Sequence, residues 1–438
     1  MTLIEFFEES VAENLCSSLL HMPDRVIFIG HNKKTMQRHV ERYRRFFSDK
    51  GKDIEFIIKS VSKNSVESII AAFESILSEY DDCVFDLTGG DDLYIFGAGI
   101  ISERYRAKNI QMHYINIRTG VIYDCDLDGE KPLSEHPLAY SFEDNVRLYG
   151  GKVLFDDSSV LGTHHWDMSA EFIKDLWAMW EICRADCTEW NTQADAFAIA
   201  ESNREPGGDA LVTSASRSAM NWHWRQASRY SKPFNYRIVN KLLNKGLLRQ
   251  FEFDNSKDVY IEYKSEQVKD CLLKSGLLLE LIVYAAALEA READGTPTYN
   301  SVLTGVHIDW NGEDDGDADE GAEAEKATYA YGNEVDAAMM HGMVPVFVSC
   351  KNGRVPSEEL YKLQSVAQKF GGKYAKKVLI APRIDEVENL APVAAFAERC
   401  REMGISLIVD IENRDHEAVV KLVKELWNHS FIPNIALN

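Results

Sequence analysis

The chain has 438 residues, 45% of them apolar, and its 48 Lys and Arg face 70 Asp and Glu for a net charge of −22. At roughly 150 residues per domain this length suggests about three domains. Such acidity excludes a molecule that coats nucleic acid or a membrane with its whole surface, since both require a basic face.

The N-terminus carries Glu5, Glu8 and Glu9 where a secretory leader needs a basic start and an apolar centre. From residue 21 to 126, short apolar runs alternate with amphipathic helical patterns. Val26-Ile27-Phe28-Ile29 reads as a buried strand ending in Gly30-His31-Asn32, followed by a polar helix through Phe47 and the strand Ile54 to Ile58. Ser65 to Tyr80 has helical spacing, Val84 to Leu87 is a third strand, and Thr88-Gly89-Gly90 opens another helix. Ile110 to Ile117 is the fourth strand. Strands alternating with helices predict a parallel, Rossmann-like sheet, whose ligands sit beyond the carboxyl ends of the strands.

The middle of the chain, about 165 to 265, begins with Trp-rich helices (Trp166, Trp177, Trp180, Trp190). From Ala210 to Phe251 there are eight Lys and Arg and no acid. Arg237 to Leu248 reads as a helix stopped at Gly246, and two apolar stretches separated by Asp254-Asn255-Ser256 follow it. Helix followed by hairpin is the outline of a winged helix-turn-helix. Arg225, Arg229 and Lys232, interleaved with Trp222, Trp224 and Tyr230, suit a phosphate backbone with stacked bases. Docking of this basic face against the acidic remainder of the chain accounts for the same residues equally well. Cys183 and Cys187, with His164 and His165 upstream, have a conceivable zinc spacing, but a hydrophobic or solvent-edge helix pair is the simpler expectation.

Leu277 to Leu288 is a long apolar helix interrupted by Glu280, well short of the ~20 residues that span a bilayer. The strand Val302 to Ile308 follows, then nine acids between Asp309 and Glu325 without a Lys or Arg, so residues 313–325 are expected to form a solvated loop. Val335 to Met343 and Val344 to Cys350 read as a hairpin, and helices and strands alternate to the end. The eight Cys have no scaffold spacing, which with the N-terminus predicts a soluble, cytoplasmic protein.

A lone acid on an apolar helix needs a partner or a metal to offset burial. Glu334 and Asp336 share one strand face, and Ser349 and Lys351 share a face of the next strand with Cys350 opposite. A hairpin can bring these groups beside Glu280, where carboxylates bind a hard divalent ion and a lysine offsets phosphate charge. Surface strand charges and one capped helix acid are the competing account.

Glu280, Asn333-Glu334-Val335-Asp336 and Val346-Phe347-Val348-Ser349-Cys350-Lys351 together resemble the PD-(D/E)XK nuclease core. The resemblance implies catalytic roles for Glu280, Glu334, Asp336, Ser349 and Lys351, with Glu280, Glu334 and Asp336 holding Mn²⁺ or Mg²⁺. Ser349 departs from the pattern, which has an acid there, so another carboxylate, Glu334 or Glu280, has to replace it. Asp86-Leu87-Thr88-Gly89-Gly90-Asp91-Asp92-Leu93 is similar to the ligand motif of CARF domains, sensors of cyclic oligoadenylates. With Gly30, His31 and Asn32, at the carboxyl end of another strand, Thr88, Gly89, Gly90 and Asp91 are expected to form the ligand site. Glycines admit close backbone approach, and a helix start presents free N–H groups to phosphates.

The chain thus resembles the CARF nuclease effectors of type III CRISPR immunity over about 1–150 and 270–438. That implies an α/β protein with a Rossmann-like CARF domain (1–150), a helical, winged-helix-like middle (151–268) and a C-terminal PD-(D/E)XK nuclease domain (269–438). It further implies a homodimer activated by cyclic tetra-adenylate that cuts DNA or RNA, with Arg225, Arg229 and Lys232 on the nucleic acid and no membrane partner. A two-fold ligand suits a two-fold dimer. A CARF winged-helix transcription regulator with a non-catalytic nuclease-like scaffold is the alternative.

Overall fold

The computed structural model describes residues 1–108, 110–118, 121–124, 130–132, 138–155, 163, 165–254, 256–312, 334–353, 355–382 and 390–428. His164, Asn255, Asn333 and the acidic loop 313–325 lie outside the described residues.

Among the described residues, three sheets organise the chain. The first follows the strands β1 (Thr2–Phe6), β2 (Arg25–Gly30), β3 (Glu55–Ser60), β4 (Cys83–Asp86), β5 (Gln111–Asn116), β6 (Val121–Asp124) and β7 (Glu130–Pro132). They lie in the order β3-β2-β1-β4-β5-β6-β7, parallel from β3 to β5 and antiparallel beyond. The intervening helices are α1 (Val11–His21), α2 (Lys33–Asp49), α3 (Val66–Glu79) and α4 (Asp92–Arg104). Val26, Ile27, Phe28 and Ile29 are wholly buried, as a continuous apolar run in a parallel sheet must be. The sequence reading missed β1. Its Glu5 interrupts the apolar pattern, yet Glu5 is 1% exposed, and burial, then Asp86, pushes its carboxyl well above the usual carboxylate range. Because β1 sits between β2 and β4, the strand order reverses between β1 and β4, the switch point where open α/β sheets hold ligands.

After α5 (Phe142–Leu148), β8 (Lys152–Leu154) pairs with a strand of the third sheet. The middle segment runs α6 (Ala170–Cys183), α7 (Cys187–Ser202), β9 (Val212–Ala215), α8 (Arg217–Ala227), α9 (Tyr236–Asn244), β10 (Leu248–Glu252), β11 (Val259–Tyr263) and α10 (Glu266–Leu273). Its sheet order, β10-β11-β9, with two helices between the first and second strands, is winged-helix topology. Then come α11 (Leu277–Glu289), β12 (Ser301–Asp309), β13 (Glu334–His341), β14 (Val344–Cys350), α12 (Glu358–Gly371), β15 (Lys376–Ile380), α13 (Leu390–Glu402), β16 (Ile405–Ile408) and α14 (His416–Lys424).

The third sheet has the order β16-β15-β14-β13-β12-β8, parallel from β14 to β16 and antiparallel elsewhere. The hairpin turns at Gly342, whose φ of +60° suits glycine. One apolar core joins α6, α7 and α11 to one face of this sheet; another joins α1 and α2 of the first unit to α12 on the other face. No described helix is long and apolar enough to cross a membrane.

Candidate active site

The antiparallel ladder of β13 and β14 reaches Ala337 opposite Val348, so Asp336 falls opposite Ser349 one step further on. Asp336 is 6% exposed and collects three donors on one oxygen. Its Oδ2 accepts from Ser349 Oγ (3.1 Å), the Cys350 backbone N–H (2.6 Å) and Lys351 Nζ (2.8 Å). The Lys351 backbone extends the ladder to β15 by donating to the Ile380 carbonyl at 2.8 Å, which fixes where its side chain starts.

Glu280 enters from the first turn of α11. Carboxylate oxygens of Glu280, Glu334 and Asp336 lie within 4.8 Å of one another. Burial, reinforced by Asp336 and Glu334, pushes the Glu280 carboxyl up to about 8. Burial alone would lower the Lys351 ammonium pKa, but Asp336 and Glu359 overcome it and raise it, so Lys351 is held as a cation. Three crowded carboxylates with one lysine are short of positive charge, which is the condition a divalent cation relieves.

Sequence reasoning missed Glu359. It stands in the first turn of α12, where its Oε1 lies 2.8 Å from Ser349 Oγ, sharing that hydroxyl's one proton with Asp336, and 3.4 Å from Lys351 Nζ. The strand serine in the usual acid position therefore holds a helix-borne carboxylate. The available signal was the pair Glu358-Glu359 opening a helix seven residues after Lys351, a place that also suits a helix N-terminus. Asn352 is tied to the middle segment as well: it and Asn191 of α7 exchange amide bonds, Asn191 Nδ2 to Asn352 O at 2.6 Å and Asn352 Nδ2 to Asn191 Oδ1 at 2.8 Å.

The residues expected to bind a ligand gather at the switch point of the first sheet. Thr88 is bolted inward, its hydroxyl donating to Asp86 Oδ1 and accepting from the Ile115 N–H at 2.9 Å. Gly90 has φ +93°, and a Cβ there would stand 2.3 Å from Phe6 Cβ, so only glycine suits this turn. Asp91 is the N-cap residue of α4 and is exposed. On the β2 side, His31 is exposed, while Asn32 has a structural duty, capping α2 by accepting from the Thr35 N–H at 3.2 Å. A Cβ on Gly30 would meet Met36 Sδ at 2.8 Å.

In the middle segment Arg225, Arg229 and Lys232 are exposed, and Trp222 is 60% exposed. Trp224 is not a stacking platform: it is buried, with its indole N–H on the Tyr230 carbonyl at 2.9 Å, because the helical period turns it into the core. Cys183 and Cys187 are both buried. Among the described residues, Glu280, Glu334 and Asp336 form the only group arranged to hold a metal ion.

No protein-family model matches the sequence, and no curated protein matches it. Among solved structures, protein VC1899 from Vibrio cholerae is similar with a TM-score of 0.68 at 14% identity, covering 99% of both chains. Can2 from Sulfobacillus thermosulfidooxidans, solved in complex with cyclic tetra-adenylate, is similar with a TM-score of 0.62 at 15% identity, covering 97% of both chains. The chain shares its fold with both, end to end. At this identity the likeness concerns the fold, and the chemistry has to be argued from the residues.

Proposed function

We propose that this protein is a metal-dependent nuclease, switched on by a cyclic oligoadenylate and acting in CRISPR antiviral defence. The convergence of Glu280, Glu334 and Asp336 beside Lys351 carries the reading. These three carboxylates would hold Mg²⁺ or Mn²⁺, which when bound polarises a phosphate oxygen and lowers the pKa of water. Lys351, kept charged by Asp336 and Glu359, offsets charge that develops on the phosphate. Ser349 holds Glu359 in place of a strand carboxylate. Arg225, Arg229 and Lys232 offer a path for the DNA or RNA strand.

The activator is read as cyclic tetra-adenylate. Support comes from the fold shared with Can2, which was solved with that molecule, and from the Thr88 to Asp91 turn at the switch point. A homodimer fits the same reading. The helix that starts beside the turn, α4, exposes Ile95 (41%) and Phe96 (59%), an apolar face that a second copy would cover around a two-fold ligand. The winged-helix topology of the middle favours a second reading, a transcription regulator in which the third sheet is a scaffold.

One assay separates them. Plasmid DNA and single strands of DNA and RNA are incubated with Mn²⁺ or Mg²⁺, with and without cyclic tetra-adenylate. Metal-dependent cleavage stimulated by the ligand is expected. Ligand binding without cleavage under any condition would favour the regulator.

A further inference from the structure

The switch-point turn is packed directly on the start of α1. A Cβ on Gly89 would stand 2.8 Å from the Phe6 carbonyl oxygen, 3.1 Å from Glu8 Cγ and 3.6 Å from Glu13 Cβ. Glu13 is 2% exposed, and its partners come from the other end of the sequence. Lys373 Nζ forms an ion pair with Glu13 Oε1, and the Tyr374 hydroxyl donates to the same oxygen at 3.1 Å. Glu13 Oε2 is buried without a hydrogen-bond partner among the described residues. Burial pushes the Glu13 carboxyl up, and Lys373 opposes that shift.

Lys373 and Tyr374 lie in the 3₁₀ turn Gly372–Tyr374 that follows α12. The same turn touches α1 a second time through Tyr149: a Cβ on Gly372 would stand 2.7 Å from the Tyr149 hydroxyl, which accepts from the Val11 N–H at 3.2 Å. Along its length α12 presents Leu360, Leu363, Val366, Ala367 and Phe370 to the core that also holds Val11, Ala12 and Leu15 of α1. Its first turn carries Glu359 against Ser349 and Lys351. Fourteen helical residues, at about 1.5 Å each, place these two ends about 20 Å apart.

We infer that α12 is the lever joining the ligand turn to the cutting site, with Lys373 and Tyr374 as positioning residues that act on it through Glu13. This rests on the reading of both sites given above. Phosphates arriving at Gly89 bring negative charge beside Glu8 and Glu13. Like-charge repulsion displaces the buried Glu13 carboxylate, and Lys373 and Tyr374 follow their partner. A packed helix does not bend to absorb such a shift, so its far end moves Glu359 relative to Ser349 and Lys351. Misplacement of about 1 Å at a reacting centre changes rate by about a hundredfold, so a small displacement suffices as a switch.

The test uses the full chain with Lys373→Met, Tyr374→Phe and the charge-preserving Lys373→Arg. Cyclic tetra-adenylate affinity is read by calorimetry and cleavage at saturating ligand by initial rates, split into kcat and KM. For Lys373→Met and Tyr374→Phe, the ratio of stimulated to ligand-free rate is expected to fall at least tenfold, in kcat, with affinity within about threefold of the original. Lys373→Arg is expected to keep the response. Combining Lys373→Met with Glu13→Gln is expected to cost no more than the worse single change, the mark of one shared interaction. Normal stimulation in Lys373→Met, or a loss that Lys373→Arg fails to restore, overturns the lever. If the unaltered protein neither binds the ligand nor cuts, the proposed function fails and the lever with it. If the unaltered protein responds and the variants respond equally, the lever alone fails.

Discussion

The first and third sheets each carry a buried aspartate, Asp86 closing β4 and Asp336 near the start of β13, and the two are partnered in opposite ways. Asp86, wholly buried, is satisfied by uncharged neighbours: Thr88 on Oδ1 through its N–H at 2.8 Å and its hydroxyl, and Ser17 Oγ on Oδ2 at 2.5 Å. His113, 2.6 Å from Ser17 Oγ, is pushed toward the neutral imidazole by burial, and Glu5 is pushed toward the neutral acid by burial and then by Asp86. That centre closes on itself and anchors the Thr88 turn. Asp336 instead meets an ammonium and stands within reach of two further carboxylates. Three carboxylates against one ammonium leave negative charge that, on the proposed function, a divalent cation arriving from outside would offset. Burial of an acid therefore identifies neither site; the charge state of its neighbours does.

The sharpest way to break this contrast is to remove the charges of each centre in turn. On the proposed function, Lys351→Ala and Asp336→Asn are each expected to lower cleavage by about 10² or more, since the first loses the cation that would offset phosphate charge and the second a carboxylate that would hold the metal. Asp86→Asn should leave Mn²⁺ binding at the third sheet intact and reduce stability, by about 1–3 kcal/mol for a buried network left partly unsatisfied. Calorimetric metal titration with denaturant melts checks both. Metal affinity lost in Asp86→Asn but kept in Asp336→Asn would reverse the assignment.

A second test addresses the turn that Asp86 anchors. Gly89→Val puts side-chain atoms against the Phe6 carbonyl and Glu8, so the turn has to shift. Cyclic tetra-adenylate affinity is expected to fall about tenfold or more, with Mn²⁺ affinity unchanged, because ligand contacts at the switch point depend on backbone approach. Unchanged ligand affinity by calorimetry would remove the turn from the sensor.

The third contrast is one of pH. In the metal-free protein the Glu280 carboxyl is raised from 4.5 to about 8, so between those values the folded state holds a proton that the unfolded chain releases. Its contribution to stability is therefore complete below pH 4.5 and lost as pH rises through about 8. A cation must expel that proton, so metal affinity should rise over the same interval, by up to about tenfold per pH unit. Metal-free melting temperature should fall from pH 5 to 8.5 in the unaltered protein and fall less in Glu280→Gln, while added Mn²⁺ restores it at the alkaline end. Parallel melting curves for the two proteins would show that Glu280 is not the protonated member of the cluster.

Which features were legible in the sequence follows from how local their causes are. The alternation around Val26 and Val84 and the Thr88-Gly89-Gly90 turn announce a Rossmann-like sheet within a few residues. The Val335 to Cys350 hairpin with its solitary Glu280 partner was readable because a strand's two-residue period fixes which side chains share a face. β1 escaped because Glu5 is buried beside Asp86 of β4, far away in sequence, where burial and then Asp86 push its carboxyl toward the neutral acid. The pairing of β8 with β12 escaped because three residues, Lys152–Leu154, carry too little pattern to choose a sheet. Glu359 escaped because α12 is aimed at Ser349 by its packing against the core, which no local spacing records.

That last omission leads to the smallest expected effect. If the carboxylate that matters beside Lys351 is carried by α12, Ser349 is a support for it and not itself a charged participant. Ser349→Ala removes a hydroxyl with one proton to give, standing 3.1 Å from Asp336 Oδ2 and 2.8 Å from Glu359 Oε1, while Lys351 still holds both acids. A single such hydrogen bond contributes about 1 kcal/mol, which corresponds to a loss in cleavage of about fivefold. Glu359→Gln removes a charge facing Lys351 and is expected to cost more, about tenfold to a hundredfold. Ser349→Glu would set a second carboxylate against Glu359 in a site already short of positive charge, so it should lower activity unless Glu359 is neutralised in the same protein. Initial rates for Ser349→Ala, Glu359→Gln and Ser349→Glu, alone and with Ser349→Glu combined with Glu359→Gln, decide the matter. Strong activation by Ser349→Glu alone would mean that the strand position has lost a carboxylate that Glu359 does not replace. Activity recovered only in the double variant would mean that the acid has moved from strand to helix, with the geometry of α12 setting its reach.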